Sequence, residues 1–325
     1  MAKILKREVN FLKYRKVFFI ISAILVLAAL ASVPVRYAAT GSPLNFGIEF
    51  VGGTSINFTD TGEISIDEMR DSFAQAGVDN AIIQTSTDTR TGTQGFIVRI
   101  STTEASEATA IINSVSNSLG LESTVVESNT IRPSWGADVT RTSAIAFLVA
   151  IVLIIAYIAI RFEYKMGVIA VVTLLHDLVI VVGVYAVLGR EVTPNVIAAL
   201  LTIMGYSLYD TVVVFHRIND NLATTASHSF MTVANHSINQ VFTRTVNTTL
   251  TSLIPVVAML FFGGETLKDF AFAMAIGLVL GSYSSIAIAS PLYALWKQRE
   301  PKFKKLAKKY GEGLDEFTAA EQLGG

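Results

Sequence analysis

Cysteine is absent from all 325 residues of the sequence. Its absence excludes disulfide bonds, thiolate metal sites and cysteine nucleophiles. Charged residues are scarce as well, at 16% of the chain, whereas an average soluble domain has about 25%. Hydrophobic residues make up 51%, and the mean hydropathy is +0.52. This composition is typical of a membrane protein.

The sequence also has no glycine-rich nucleotide loop of the Walker type, so we do not expect ATP to be the direct energy source through this chain. Residues 36–141, the longest stretch between apolar runs, contain neither histidine nor a phosphate-binding loop. We therefore predict no cofactor, no metal site, no nucleic-acid partner and no catalytic chemistry of the chain's own.

Six apolar runs are long enough to form membrane-spanning helices, which need about 20 residues each. The runs are Val17–Val35, Ala144–Ile160, Met166–Leu188, Val196–Phe215, Val246–Phe262 and Phe270–Trp296. The first run follows a basic arm and contains small residues, as a cleaved signal peptide does. Its apolar stretch is longer than the usual signal core of about 7–15 residues, so we interpret it as an uncleaved anchor.

The distribution of charge predicts the orientation of the chain. Lysine and arginine are concentrated before the first run and after the last, and such an excess is typical of cytoplasmic segments. Residues 36–141 instead contain 13 acidic residues, six arginines and no lysine. We predict that both termini are cytoplasmic. Anionic membrane lipid is a candidate partner of the basic tail, and the favoured alternative is that its charge serves only as a topology signal. The predicted parts are a basic arm (1–16), a first spanning helix (17–35), an extracytoplasmic domain (36–141), a five-helix membrane region (142–296) and a basic tail (297–325).

Changes of period within residues 36–141 predict the order strand, helix, strand, strand, helix, strand. The predicted strands are Thr54–Phe58, Ala81–Thr85, Gly95–Ile100 and Ser123–Ile131. The predicted helices are Ile64–Ala76 and Thr103–Leu119, the second with Thr103 as its N-cap. This order is that of the split βαβ, ferredoxin-like motif. The predicted fold class is an α-helical polytopic membrane protein with one α+β ferredoxin-like domain.

Asp210 is the most informative residue, because it lies inside the fourth apolar run. A carboxylate at a helix centre costs about 2.5–3.5 kcal/mol on insertion scales, so it usually marks a functional site. Arg244 lies at the start of the fifth run, and an acid and a base on adjacent helices predict a path for ions or protons. The alternative is a structural hydrogen bond between helices.

His176 and Asp177 in the third run are a second candidate pair, because histidine titrates near neutral pH. Asp177 lies nearer the middle of its run than Asp210 does. Adjacent residues on a helix point about 100° apart, so the two side chains need not touch. A structural role is the alternative here too.

Other polar residues recur at helical spacing beside these candidates. They are Tyr206, Ser207, Gln240, Asn247 and Thr248. We predict that they form a supporting stripe that faces the bundle interior, because lipid would leave them unpaired. In the sixth run the small residues Gly277, Gly281 and Ser285 are assigned to helix packing alone. Residues His216–Thr243 are predicted to form an amphipathic helix at the membrane surface that leads into the fifth span.

Several motifs resemble those of the SecD/SecF family of bacterial protein-translocase subunits, within the RND superfamily. Gly47-Ile-Glu-Phe-Val-Gly-Gly-Thr54 is similar to the SecF signature Gly-Ile-Asp-Phe-x-Gly-Gly-Thr. Gly205–Phe215 is similar to the motif of the fourth span, and both His176-Asp177 and Ser237–Thr248 match family patterns. The resemblance covers nearly the whole chain.

The resemblance implies half of an RND-type helix bundle in the bacterial inner membrane, paired with a SecD-like subunit. It implies that Asp210 and Arg244 belong to a proton path, with Arg244 holding Asp210 ionised in the resting state. Proton flow would drive domain motions that help a translocating polypeptide leave the SecYEG channel, which SecA powers. Two alternatives are an RND-type exporter of small molecules or lipids and a scaffold that conducts nothing.

Overall fold

The computed structural model describes residues 9–87, 92–121, 126–224, 228–263 and 265–311. About half of the predicted basic tail (312–325), half of the basic arm (1–8), four residues between the second and third predicted strands (88–91) and the start of the last predicted strand (122–125) lie outside these ranges. The chain divides into two compact units. The membrane unit comprises Met1–Leu44, Leu148–Arg190 and Ala198–Gly325, and the ferredoxin-like unit comprises Asn45–Phe147 and Glu191–Ile197.

The described elements follow in chain order. The helices are α1 (Arg15–Thr40), α2 (Ile48–Val51), α3 (Ile66–Gln75), α4 (Ala105–Leu119), α5 (Pro133–Arg161), α6 (Tyr164–Leu188), α7 (Pro194–Thr224), α8 (Phe230–Phe262), α9 (Glu265–Ser284), α10 (Ser290–Gln298) and α11 (Pro301–Tyr310). The strands are β1 (Asn45–Phe46), β2 (Gly53–Phe58), β3 (Ile82–Thr87), β4 (Gln94–Ile100), β5 (Val126–Ile131) and β6 (Glu191–Val192). A 3₁₀ turn, Phe11–Tyr14, precedes α1, and a π-helical turn, Ser285–Ala289, joins α9 to α10.

Six helical stretches among the described residues are long and apolar enough to cross a membrane, which confirms the predicted number. They are α1, α5, α6, α7, α8 and the continuous stretch Leu267–Gln298 formed by α9, the π turn and α10. The third, fourth and sixth are the most buried within the chain, while α1 and α5 are mostly uncovered. The centre of the bundle is therefore formed by α6, α7 and the sixth span.

The predicted helix His216–Thr243 does not form as one element: its residues through Thr224 belong to α7, and 225–227 lie outside the described ranges. From Phe230 onward it is the first part of α8. Its apolar residues, among them Phe230, Met231 and Ile238, are buried in the bundle core. The predicted position at the membrane surface is therefore wrong, because the apolar face of this helix packs against protein. α8 continues without a break from these residues through Arg244 to Phe262, so the start of the helix fixes where Arg244 lies.

Glycines set the closest helix contacts of the membrane unit. A Cβ atom at Gly183 of α6 would overlap Ala29 of α1, and Ser32 of α1 donates a hydrogen bond to the Gly183 carbonyl at 3.4 Å. In the sixth span a Cβ at Gly281 would lie 3.0 Å from the Cβ of Ser207, and one at Gly277 would overlap Ile203. These approaches agree with the packing role predicted for the small residues of that span.

We expect Gly183→Ala to destabilise the purified chain by about 1–3 kcal/mol, the usual cost of an overfilled contact. The reason is that α1 must move away from α6 to admit one methyl group. The matched control is Gly205→Ala, because no atom lies within 4 Å of a Cβ at that position. Alanine there improves helix propensity by up to about 1 kcal/mol. Thermal unfolding in detergent measures both, and equal midpoints for the two variants would contradict this account of the α1–α6 contact.

The ferredoxin-like unit has the predicted strand and helix order. Its sheet runs β3-β4-β2-β5 with every neighbouring pair antiparallel, as the split βαβ motif requires. The core between the sheet and α3 and α4 is apolar. It contains Ile56, Phe58, Met69, Phe73, Phe96, Val98, Ile100, Ile111 and Val115.

The helices of this unit begin differently. At α3, Ser65 and Glu68 form a capping box; the backbone and side-chain hydrogen bonds from Ser65 hold the pKa of Glu68 below its ordinary value. At α4 the predicted N-cap Thr103 is wrong. The helix begins at Ala105, and the extended residue before it is Glu104, which makes no side-chain cap.

A second sheet, not expected from any sequence pattern, pairs β1 with β6 in parallel. Both strands belong to the ferredoxin-like unit, although β6 lies between the third and fourth spans in the sequence. Two residues are too few to show the alternation by which strands are recognised.

Candidate functional site

Asp210 lies on α7 and has only 3% of its surface exposed. Its Oδ2 atom is buried and has no hydrogen-bond partner among the described residues. The charge of Arg244 on α8 acts on this carboxyl group, and Ser282 of α9 is a neighbouring hydroxyl. Burial of a polar oxygen without a hydrogen bond is unfavourable. A carboxyl group in this environment is therefore suited to bind and release a proton.

Arg244 is brought near Asp210 but not into an ion pair with it. Its Nη2 atom donates a hydrogen bond of 2.6 Å to the Tyr209 hydroxyl, and its guanidinium lies 5.7 Å from the centre of the Tyr209 ring. None of the ion pairs within the described ranges joins Arg244 to Asp210. The expected resting-state ion pair is therefore not present among the described residues, and the guanidinium is instead hydrogen-bonded to Tyr209.

Asp177 has the opposite environment, because both of its oxygens have partners. Oδ2 accepts hydrogen bonds from the Ser207 hydroxyl at 2.6 Å and from the Ser284 hydroxyl at 2.7 Å. Oδ1 lies 2.9 Å from Nδ1 of His176, so the adjacent side chains do touch. The group is fully buried and ties α6 to α7 and α9. Such saturation favours a structural role for Asp177.

Serines of the sixth span form the part of the site that sequence reasoning missed. Besides the hydrogen bond from Ser284 to Asp177, the hydroxyls of Ser285 and Thr211 share a hydrogen bond of 2.8 Å. The hydroxyls of Ser282 and Thr249 are also hydrogen-bonded to each other. The sequence did contain a signal for this polar cluster, because three serines occur within four positions of a largely apolar span. The π-helical turn begins at Ser285, and such turns are frequent at functional sites.

The supporting residues divide between the interior and the surface of the chain. Ser207 is buried, and the Tyr206 hydroxyl contacts the Ser252 hydroxyl at 2.8 Å and donates to the Thr248 carbonyl at 3.0 Å. Gln240 accepts a hydrogen bond of 2.5 Å from Arg217 but is exposed, as is Asn247. The stripe on α8 does not face the interior of this chain's own bundle, which corrects the expectation for that helix.

A cavity of about 520 Å³ extends from Arg244 to the ends of α5 and α7. Valines and the aromatic residues Tyr157 and Phe162 line one part of it, and six charged or titratable side chains line another. The latter are Arg161, Glu163, His216, Arg217, Asp220 and Arg244. A cavity of this size can hold water where polar side chains offer it hydrogen bonds, so the charged part of the lining can connect Arg244 to the solvent at that end of the bundle.

Comparison with known proteins decides the family. The family model described as protein export membrane protein SecD/SecF, C-terminal, matches residues 111–299. The protein translocase subunit SecF of Desulfurispirillum indicum is 36% identical over 93% of this chain and 96% of its own length. The chain belongs to the SecD/SecF family. The SecF subunit of Streptomyces coelicolor is 34% identical over 92% of this chain and 80% of its own length.

The same family relationship is found among solved structures. The crystal structure of SecDF from Thermus thermophilus, described as a translocon-associated membrane protein, matches with a TM-score of 0.79 and 32% identity over 92% of this chain. This chain spans only 40% of that SecDF chain. The predicted resemblance to the SecD/SecF family is confirmed: the chain is a multi-pass membrane subunit of the Sec protein-export system.

Proposed function

We propose that this chain couples proton movement through its membrane unit to motions of its ferredoxin-like unit that help a polypeptide leave the Sec channel. Asp210 binds and releases the proton, Arg244 responds to its charge, and the cavity beside Arg244 supplies the exit to solvent. The observation that carries the proposal is the buried Oδ2 of Asp210, which lacks a hydrogen-bond partner among the described residues.

The energy available is sufficient for such coupling. One elementary charge that moves through 100 mV releases about 2.3 kcal/mol. A bias of this size changes the ratio of two conformations by roughly fifty-fold, since 1.4 kcal/mol is a factor of ten. Protonation of Asp210 removes its charge, so the electrostatic attraction between Asp210 and Arg244 is lost. A shift of α8 against α7 follows.

A SecD-like subunit completes the site in this proposal. Gln240, Arg244, Asn247 and Thr251 are exposed on α8, and lipid offers no partner for the hydrogen-bonding capacity that contacts within this chain do not use. A protein surface must therefore cover them. The part of the matched SecDF chain that has no counterpart here supports a SecD-like partner. The proposal also places both termini in the cytoplasm. Its further partners are SecYEG, SecA and the exported polypeptide.

The test is translocation into inverted membrane vesicles that contain SecYEG, SecA and ATP. Three preparations are compared: this chain alone, the SecD-like subunit alone, and both together. We expect a proton gradient to stimulate translocation only when both are present, because only then are the polar groups of α8 covered. Equal stimulation by this chain alone would contradict the proposed partnership.

A further inference from the structure

The segment between the third and fourth spans is part of the ferredoxin-like unit. Its two residues Glu191 and Val192 form β6, which pairs in parallel with Asn45 and Phe46 of β1. The pairing is continued by a hydrogen bond of 2.9 Å from the Gly47 amide to the Val192 carbonyl. Two strands of two residues make few hydrogen bonds, so further contacts are needed to hold β6 in place.

An ion pair supplies such a contact. Arg99, on β4, is paired with Glu191, and the two side chains are only 11% and 10% exposed. β4 is an inner strand of the four-stranded sheet, with β3 on one side and β2 on the other. The pair therefore joins the segment before the fourth span to the middle of the sheet. Buried ion pairs contribute little net stability, and where they are retained the best-attested use is to fix one arrangement of the chain.

Gly47 leaves the space that the pair requires. A Cβ atom at this position would overlap Oε2 of Glu49 and would also lie 2.9 Å from Oε1 of Glu191, closer than van der Waals contact permits. The glycine that opens the motif Gly47–Thr54 therefore has two contacts with the same segment, its amide to Val192 and its open side to Glu191. The motif thus has a physical role, because Gly47 forms the contact surface against which β6 packs.

The helix that carries Asp210 begins two residues after β6. α7 starts at Pro194, and its first residues, through Ile197, belong to the ferredoxin-like unit. No further proline interrupts α7, and Asp210 lies 16 residues from Pro194, or about 24 Å along the axis at 1.5 Å per residue. One unbroken helix therefore runs from the end of this segment to Asp210.

We propose that Arg99 and Glu191 are positioning residues that couple the four-stranded sheet to the fourth spanning helix. Their ion pair fixes β6 to the sheet, so that the sheet and the helix bearing Asp210 move together. This inference rests on the proposed proton-driven function. It assigns the coupling to two residues outside the spanning helices. When the ion pair is lost, we expect protons still to move and ATP-driven translocation to continue. The proton gradient should then no longer stimulate translocation.

The experiment uses Glu191→Gln in the complete complex, since glutamine keeps the shape of the side chain and removes its charge. We expect proton flux to stay within about twofold of wild type and gradient-stimulated translocation to fall at least fivefold. The control is Asp67→Asn in the same unit, because the Arg70–Asp67 pair is exposed, at 56% and 81%, and exposed pairs contribute little. Asp67→Asn should change neither quantity.

A disulfide then separates coupling from general loss of structure. The natural chain has no cysteine, so Phe46→Cys and Val192→Cys, at directly paired positions of β1 and β6, introduce the only thiols of this chain. In the Glu191→Gln background, oxidation should restore at least half of the stimulated translocation, and reduction should abolish it again.

Three results would overturn the inference. The first is gradient-stimulated translocation at the wild-type level in Glu191→Gln, and the second is an equal loss of proton flux and of stimulated translocation in that variant. The third is a pair of thiols that does not cross-link or does not restore translocation. Absence of proton flux in the wild-type complex would instead contradict the proposed function itself.

Discussion

Asp210→Asn abolishes the gradient-dependent part of polypeptide translocation and leaves the yield of the complex unchanged. Asparagine has nearly the shape of aspartate but cannot take up and release a proton at this position. A neutral amide is also cheaper to bury than a charge, so α7 should remain at least as stable as in the wild type. The measurement compares ATP-driven translocation with and without a proton gradient.

Asp177→Asn is the matched control, because Asp177 is the other buried acid of the bundle. The amide oxygen of asparagine can still accept the Ser207 and Ser284 hydroxyls that Asp177 accepts at 2.6 and 2.7 Å. We therefore expect this variant to keep most of the gradient-dependent translocation. The reverse pattern, with a normal Asp210→Asn and an inactive Asp177→Asn, would move the proton site to Asp177 and His176.

Arg244→Ala should lower both the thermal stability and the yield of the complex, and should abolish gradient-dependent translocation. It removes the hydrogen bond to Tyr209, and a hydrogen bond to a charged group contributes about 1.5–3 kcal/mol. It also removes the positive charge that acts on Asp210. Unfolding of the purified complex and translocation with a gradient measure the two effects.

The double variant Asp210→Asn with Arg244→Ala separates the two losses. With no charge left on Asp210, the electrostatic part of the destabilisation should disappear, so the double variant should be more stable than Arg244→Ala and still inactive. Arg244→Lys is the control, because it keeps the charge while losing the forked donor geometry. Strictly additive changes in stability would contradict an interaction between the two residues.

Sequence patterns predicted much of this architecture because burial in lipid or in a protein core imposes simple periods. The six apolar runs correspond to six helices, and the strand and helix order of residues 53–131 follows from alternation and helical spacing. Asp210 and Asp177 stand out in the sequence because ionisable residues inside apolar runs are costly. Both are buried in the structure, at 3% and 0% exposed.

The remaining features depend on contacts that a single sequence does not display. Ser284 is a hydrogen-bond donor to Asp177. In the sequence it is one of several small residues of the sixth span, and close helix packing is sufficient to account for such residues. Glu191 becomes informative only when β6 is placed beside β1 and Arg99. The outward direction of the α8 stripe follows from which helices cover α8. In the proposed complex a partner subunit also covers it, and the sequence of one chain does not contain that partner.

Proton flux through the purified complex in sealed vesicles tests the central claim most directly. A pH-sensitive dye inside the vesicles reports the decay of an imposed gradient for the wild type and for Asp210→Asn, reconstituted at equal density with the SecD-like subunit. The account predicts that the wild type dissipates the gradient and that Asp210→Asn is no faster than protein-free vesicles. Equal dissipation by the wild type and Asp210→Asn would contradict the claim that Asp210 carries the proton.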